Sequence, residues 1–150
     1  MRIVIQRCKY AKVSIDGIEK SSISKGMVIF LAIENTDTQQ EIEWLVKKII
    51  ALRIFDDSDG VMNLDIRQAD GDIMVVSQFT LFASTKKGNR PSYLRSAKAD
   101  ISLPMYEEFV FYLQKMLHKK IFTGEFGVDM HVELCNDGPV TIIMDTSLKE

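Results

Sequence analysis

Two histidines, two cysteines and one tryptophan are all that the 150 residues contain of those types, and the shortage narrows the chemistry. Cys8 and Cys135 stand far apart, so the chain has neither the paired spacing of a zinc site nor the framework of a disulfide-stapled domain. Both read as reduced, partly buried thiols. His118 and His131 fall in no metal-ligand pattern, and neither accompanies a serine motif, which argues against a zinc hydrolase and a serine–histidine–acid triad. The Gly-x-Ser-x-Gly elbow, the phosphate-binding glycine loop and the dinucleotide fingerprint are also missing. The longest apolar run, Met27 to Ile33, is far too short to cross a bilayer. The opening residues Met1 to Gln6 lack the apolar segment and small-residue cleavage site of a signal peptide, so a cytosolic chain with no membrane partner is expected. Charge of one sign is lacking too: the net charge is −2, so any contact with RNA has to be local rather than a basic face.

What is present is ordinary for a soluble globular chain, with 46% hydrophobic and 27% charged residues, and the length suits one domain over 1–150 that buries a core without disulfides or metal. Ile3 and Ile5, then Ala11, Val13 and Ile15, alternate with polar neighbours ahead of Asp16-Gly17, the signal of a hairpin. Met27 to Ile33 reads as a central strand covered on both faces. Thr38 and Glu41 fit a capping box, and Ile42, Leu45, Val46, Ile49 and Ile50 recur at helical steps, predicting an amphipathic helix that gives way near Arg53. Asp56 to Gly60 reads as a hairpin tip; as a calcium loop it lacks the terminal Glu. Asp70-Gly71 marks another turn before a strand from Ile73 to Phe82. Ser102 is expected to cap a second helix, with Pro104 in its first turn and Met105, Phe109, Val110, Leu113, Met116 and Leu117 along its apolar side. Val128, Met130, Val132 and Leu134 alternate as a half-buried strand with His131 facing away from any catalytic centre. After a turn at Gly138-Pro139, Val140 to Met144 reads as the last strand. The pattern implies an α+β fold, two main helices laid on a largely antiparallel sheet.

Two basic segments are placed to meet RNA: Lys86-Lys87-Gly88-Asn89-Arg90 with Arg95 and Lys98 beyond, and His118-Lys119-Lys120. The second reads better as cations decorating a helix C-terminus.

The polar residues within the apolar strand Val75 to Phe82 are the first candidates for chemistry. Ser77, Gln78 and Thr80 each need a hydrogen-bond partner if buried; either the run leaves the core at Ser77 or these groups face a cleft. The second candidate is Asn136-Asp137-Gly138-Pro139-Val140-Thr141. A trans proline in a plain turn is the commoner arrangement there, whereas a cis bond, cheap only before proline, would aim neighbouring carbonyl oxygens into one space. Such main-chain acceptors would engage an ammonium and read handedness without reading a side chain.

Together, Ser77-Gln78-Phe79-Thr80-Leu81 and Asn136 to Thr141 resemble the two signature motifs of the D-aminoacyl-tRNA deacylases. Gln6-Arg7, Asp16-Gly17, Leu52 to Phe55, Met62-Asn63-Leu64, Lys87 to Ser92 and Thr123 to Gly127 follow in the expected order, so the resemblance covers essentially the whole chain. It implies a strongly curved, barrel-like sheet and a homodimer whose active sites lie at the interface. It implies that Gly138-Pro139 is cis and enters the partner's pocket, that Ser77, Gln78, Phe79 and Thr80 line the receiving pocket, and that Arg7 holds the proline motif. Asn136, Val140 and Thr141 belong to that substrate-binding motif, and Phe79 lies near the 3′-terminal adenosine, where an aromatic face suits stacking.

The implied activity is that of an ester hydrolase that releases D-amino acid and tRNA from D-aminoacyl-tRNA, accepts glycyl-tRNA and rejects the L-ester, without a metal or other cofactor. Thr80 is the one side chain that can be drawn as a nucleophile. The alternative is oxyanion stabilisation by main-chain groups around Phe79 and Thr80 with assistance from the substrate 2′-hydroxyl. Two other readings stand beside this one: an inactive dimeric RNA-binding or interaction module on the same fold, and an esterase for small free esters using Ser77 or Thr80.

Overall fold

A computed structural model describes residues 1–149. Its frame is one long strand, β1 (Arg2–Ile15), to which three others are hydrogen-bonded. One edge takes β3 (Gly26–Ala32) beside residues 2–8 and β2 (Ile18–Ile23) beside residues 11–15. The other edge takes β8 (His131–Asp145) along almost its whole length. Those three pairings are antiparallel, whereas β3 to β6 (Asp72–Ser77) and β6 to β7 (Ile121–Thr123) are parallel. The sheet is therefore mixed, and its antiparallel part is the part built on β1.

It curls until its edges approach: Ser21 Oγ on β2 donates to the Thr123 carbonyl on β7 at 2.7 Å. Gly26 permits the start of β3 to lie against β6, because a Cβ there would stand 1.9 Å from the Asp72 carbonyl oxygen.

Two cores follow from strand alternation. Met27, Ile29, Leu31, Ile73 and Val75 face the helices, while Val28, Met74 and Val76 face the inside of the curl with Cys8, Ala11 and Val13. The side of β1 that faces the inside of the curl passes from even to odd numbers between Cys8 and Ala11, whereas Ile3 and Ile5 face the helices. There three steps on β1 oppose two on β8, from Asn136 to Leu134, and a bulge of one residue reverses the pleat. Burial pushes the Cys8 thiol up to about 11.

Helix α1 (Gln39–Ala51) begins with the expected box: Gln40 N–H donates to Thr38 Oγ1, and Thr38 N–H to Glu41 Oε2. Ile42, Leu45, Val46, Ile49 and Ile50 are buried, and Lys47 and Lys48 are wet. Each fully buried Ile or Leu of this stripe contributes about 1.5–3 kcal/mol. β4 (Phe55–Asp56) and β5 (Met62–Leu64) then form the small hairpin whose tip is Asp57 to Gly60. No helix is long and apolar enough to cross a membrane among the described residues.

Three expectations need correction. The strand expected from Ile73 to Phe82 stops at Ser77, and Phe79–Phe82 is a 3-10 turn. Helix α2 (Ala99–Leu117) starts before Ser102: Ala97 N–H donates to the Ile33 carbonyl at 2.9 Å, which pins the chain at the sheet before the helix begins. Lys98 is its N-cap, and Ser102 Oγ instead donates back to the Lys98 carbonyl. Pro104 thus sits inside the helix rather than in its first turn.

The third correction concerns the C-terminal region. Val128 and Met130 precede the strand, and the two strands expected around Gly138-Pro139 are one strand. Asn136 opposes Cys8 and Thr141 opposes Gln6, so five steps on β8 face two on β1. Three extra residues are thrown out of the sheet without ending the pairing.

Candidate active site at the carboxyl ends of β3 and β6

The parallel strands β3 and β6 both end beside a cavity of about 320 Å³. Leu31, Ala32, Ile33, Val76, Ser77, Gln78 and Phe79 form one side, and the loop from Phe126 to Met130 forms another. Gln78 N–H donates to the Leu31 carbonyl at 2.7 Å, fixing the point at which the chain leaves the sheet. Of the two arrangements open to the polar run, the structure has both: the run leaves the strand at Ser77, and Ser77 and Gln78 line the cleft.

The 3-10 turn that follows is held from several directions. Arg2 Nη1 donates to the Leu81 carbonyl at 2.8 Å, and its guanidinium lies 4.9 Å from the Phe82 ring centre. Arg2 also donates from Nε and Nη2 to Asp145 Oδ2. Burial alone would raise the Asp145 carboxyl, but hydrogen bonds from Ser147 and Arg2 outweigh it and hold the group below the usual carboxylate range. Ser96 Oγ donates to the Phe79 carbonyl at 2.7 Å.

The N–H groups of Phe79 and Thr80 open this turn and so have no acceptor within it. The Gln78 side-chain amide donates to Thr80 Oγ1, and an amide is no base. Phe79 is 56% exposed and meets Tyr93 edge to face at 5.0 Å between ring centres.

The motif at residues 136–141 is organised separately. The Asn136 side chain accepts from Val140 N–H at 3.1 Å and donates to the Val140 carbonyl at 3.2 Å, taking the place of ladder bonds lost in the excursion. Thr141 Oγ1 accepts from Gln6. The Gly138–Pro139 bond is cis, as the resemblance implied, and both residues are exposed.

Arg7, only 6% exposed, donates from Nε to the Asp137 carbonyl at 3.1 Å and from Nη1 to the Ile54 carbonyl at 2.7 Å and Asp56 Oδ1 at 3.0 Å. Within one chain Gly138 and Pro139 are not among the residues lining the cavity beside Ser77. The two motifs form separate surfaces of the same subunit.

Sequence reasoning missed the opposite wall of the cavity. Asp129 is the one carboxylate among its lining residues, and Tyr106, placed at its base by α2, donates its hydroxyl to the Val75 carbonyl at 2.8 Å. Burial pushes that phenol well above its ordinary range. The glycines at 124 and 127 were the available sign that this segment is a loop rather than a strand. Among the described residues no cluster of three or more His, Cys, Asp or Glu is placed to hold a metal ion.

The sequence profile of the D-Tyr-tRNA(Tyr) deacylase family matches residues 4–145. The chain is 60% identical over 150 residues to a D-aminoacyl-tRNA deacylase of Bacteroides fragilis strain YCH46, covering 100% of both. A solved structure of a c-Myc DNA Unwinding Element Binding Protein superposes with a TM-score of 0.92 at 36% identity, over 97% of this chain and 99% of that one. A probable eukaryotic D-amino acid tRNA deacylase shares the fold, with a TM-score of 0.82 at 14% identity over 95% and 97% of the two chains.

Proposed function

The chain belongs to the D-Tyr-tRNA(Tyr) deacylase family, and on that premise we propose that it hydrolyses the ester joining a D-amino acid to the terminal ribose of tRNA. Free D-amino acid and reusable tRNA are the products, and the work is done in the cytoplasm, where tRNA is charged. The observation that carries this reading is the match from residue 4 to residue 145 with Ser77, Gln78 and Phe79 of the first motif lining a cavity.

Catalysis is by positioning and main-chain electrostatics. The aminoacyl ester is already activated, so oriented water and N–H donors aimed at the developing oxyanion suffice. The amides at Phe79 and Thr80 are the donors, Phe79 stacks on the terminal adenine, and the substrate 2′-hydroxyl assists water. Ser77 and Gln78 shape the pocket.

The chirality filter comes from a second subunit. Gly138 and Pro139 project from one chain into the Ser77 pocket of its partner, with Asn136, Val140 and Thr141 framing them and Arg7 holding them from behind. Glycyl-tRNA, lacking a side chain, passes the same filter. A homodimer is supported by the outer edge of β8, which among the described residues pairs only on its β1 side, and by Ile143 on that strand, 66% exposed; a long open edge of this kind calls for a partner.

The experiment that tests the chemistry is Thr80→Ala, followed by D-tyrosyl-tRNA hydrolysis. Losing a hydroxyl that only accepts a hydrogen bond costs about tenfold or less, so turnover persists. Removing a nucleophile costs on the order of 10⁴- to 10⁶-fold, and a drop of that size would return Thr80 to the role of nucleophile.

The likeness to a DNA Unwinding Element Binding Protein favours one second reading, a nucleic-acid-binding dimer without turnover. It requires tRNA to bind and the D-ester to survive.

A further inference from the structure

Between Asp72 and Asp100 lie 27 residues with five lysines and arginines and no acidic side chain. The chain carries 19 basic and 21 acidic residues in all, so everything outside this stretch has 14 of the first and 21 of the second. The longest stretch without an acidic side chain, and the one with the most cations, is therefore the segment that leaves the candidate active site.

Its shape is defined. Ser84 and Ser92 exchange both main-chain hydrogen bonds, at 2.8 and 2.9 Å, and seven residues from Thr85 to Pro91 form the tip. Lys86, Lys87 and Arg90 on that tip are exposed, and none has a carboxylate within salt-bridge distance among the described residues.

The root of this hairpin is tied to the 3-10 turn. Tyr93 packs its ring against Phe79, Arg95 lies 5.1 Å from the Phe82 ring centre and pairs with Glu34, and Ser96 bonds the Phe79 carbonyl. Leu94 beside them is 91% exposed. Free cations at a tip and exposed flat or apolar side chains at its root are the two components of a surface that follows a single strand: charge for phosphates, rings for unstacked bases. The contrast with His118-Lys119-Lys120 is informative. Lys119 there is already paired with Asp70 and Asp72, so that cluster serves the helix end.

We propose that the Ser84–Ser92 hairpin is an arm that grips the tRNA acceptor end, with Lys86, Lys87 and Arg90 on its phosphates and Tyr93 beside Phe79 under its unpaired bases. The identity of the RNA rests on the deacylase reading; the grip on polynucleotide does not. The arm acts on affinity, and because it is fixed to the carbonyl and ring of Phe79 it sets the register of the strand over the pocket.

The test is binding of uncharged tRNA at several salt concentrations, alongside hydrolysis of D-tyrosyl-tRNA. Lys86→Ala/Lys87→Ala/Arg90→Ala is expected to weaken binding about tenfold or more near 0.1 M salt and to flatten the slope of log affinity against log salt by about 2 to 3. Lys86→Arg/Lys87→Arg/Arg90→Lys binds as the unaltered chain does. Lys47→Ala/Lys48→Ala/Lys115→Ala, which removes the same charge elsewhere on the surface, leaves both affinity and slope unchanged. Unchanged binding by the first variant, failure of the charge-preserving one, or an equal loss in the third would each overturn the arm. Arm-dependent binding without any hydrolysis would keep the arm and remove the deacylase reading, so the two fail separately.

Discussion

Arg7→Ala is expected to lower stability by about 3 kcal/mol and the Tm by roughly 6–12 °C, with at least a hundredfold loss of D-tyrosyl-tRNA hydrolysis. The guanidinium is almost wholly buried and serves two main-chain carbonyls, those of Ile54 and Asp137. Without it the inner groups lose their donor in a place water reaches poorly. The ion pair with Asp56 adds little, because that carboxylate is nearly half exposed and solvent screens it. Activity falls further than stability explains, because Asp137 is the residue before Gly138 and loses the contact that holds it. Lysine is a poor substitute: one ammonium cannot reproduce a planar fork that reaches Ile54 and Asp137 at once. Thermal unfolding and single-turnover deacylation of Arg7→Ala and Arg7→Lys check both parts.

Gly138→Ala is the second large effect. Gly138 has φ +122°, a conformation that side chains rarely adopt, and a Cβ there would stand 2.9 Å from Val140 Cγ2 and 3.0 Å from Arg7 Nη2. The excursion has to shift, which costs about 1–3 kcal/mol and misplaces the filter. The chain folds, because the β1–β8 ladder continues on both sides, but D-ester hydrolysis falls about a hundredfold and the margin over the L-ester narrows. If the motif works on the partner's pocket, mixing Gly138→Ala with Gln78→Ala subunits restores activity. Half of the dimers are then hybrids with one intact site of two, giving about a quarter of full activity for a twofold dimer. No recovery on mixing would place the filter and pocket in the same chain.

How much of this was legible in the sequence depended on whether an element is decided locally. Helix α1 is: Thr38 and Glu41 cap each other and the stripe from Ile42 to Ile50 has helical period, so the expectation and the structure coincide. The end of β6 is decided at a distance. Phe79 to Phe82 has the composition of a strand, but Arg2 and Ser96 hold the Leu81 and Phe79 carbonyls and turn the chain into a 3-10 turn. The excursion at Gly138 is hidden for another reason: Asp-Gly-Pro has the composition of a turn, and nothing local reveals that the Asn136 side chain bridges the gap while the strand continues.

The candidate site divides in the same way. Ser77 to Thr80 and Asn136 to Thr141 are visible as polar interruptions of apolar runs. The wall made by Phe126 to Met130 is not, because its place depends on where β7 joins the curled sheet and on α2 presenting Tyr106.

The most direct measurement is hydrolysis of matched D-tyrosyl-tRNA and L-tyrosyl-tRNA by the purified chain under one set of conditions. Rapid loss of the D-ester with the L-ester surviving at its spontaneous rate is the result expected of a main-chain filter. Equal loss of both esters would contradict the filter, and survival of both in the presence of a folded, tRNA-binding protein would contradict the deacylase itself.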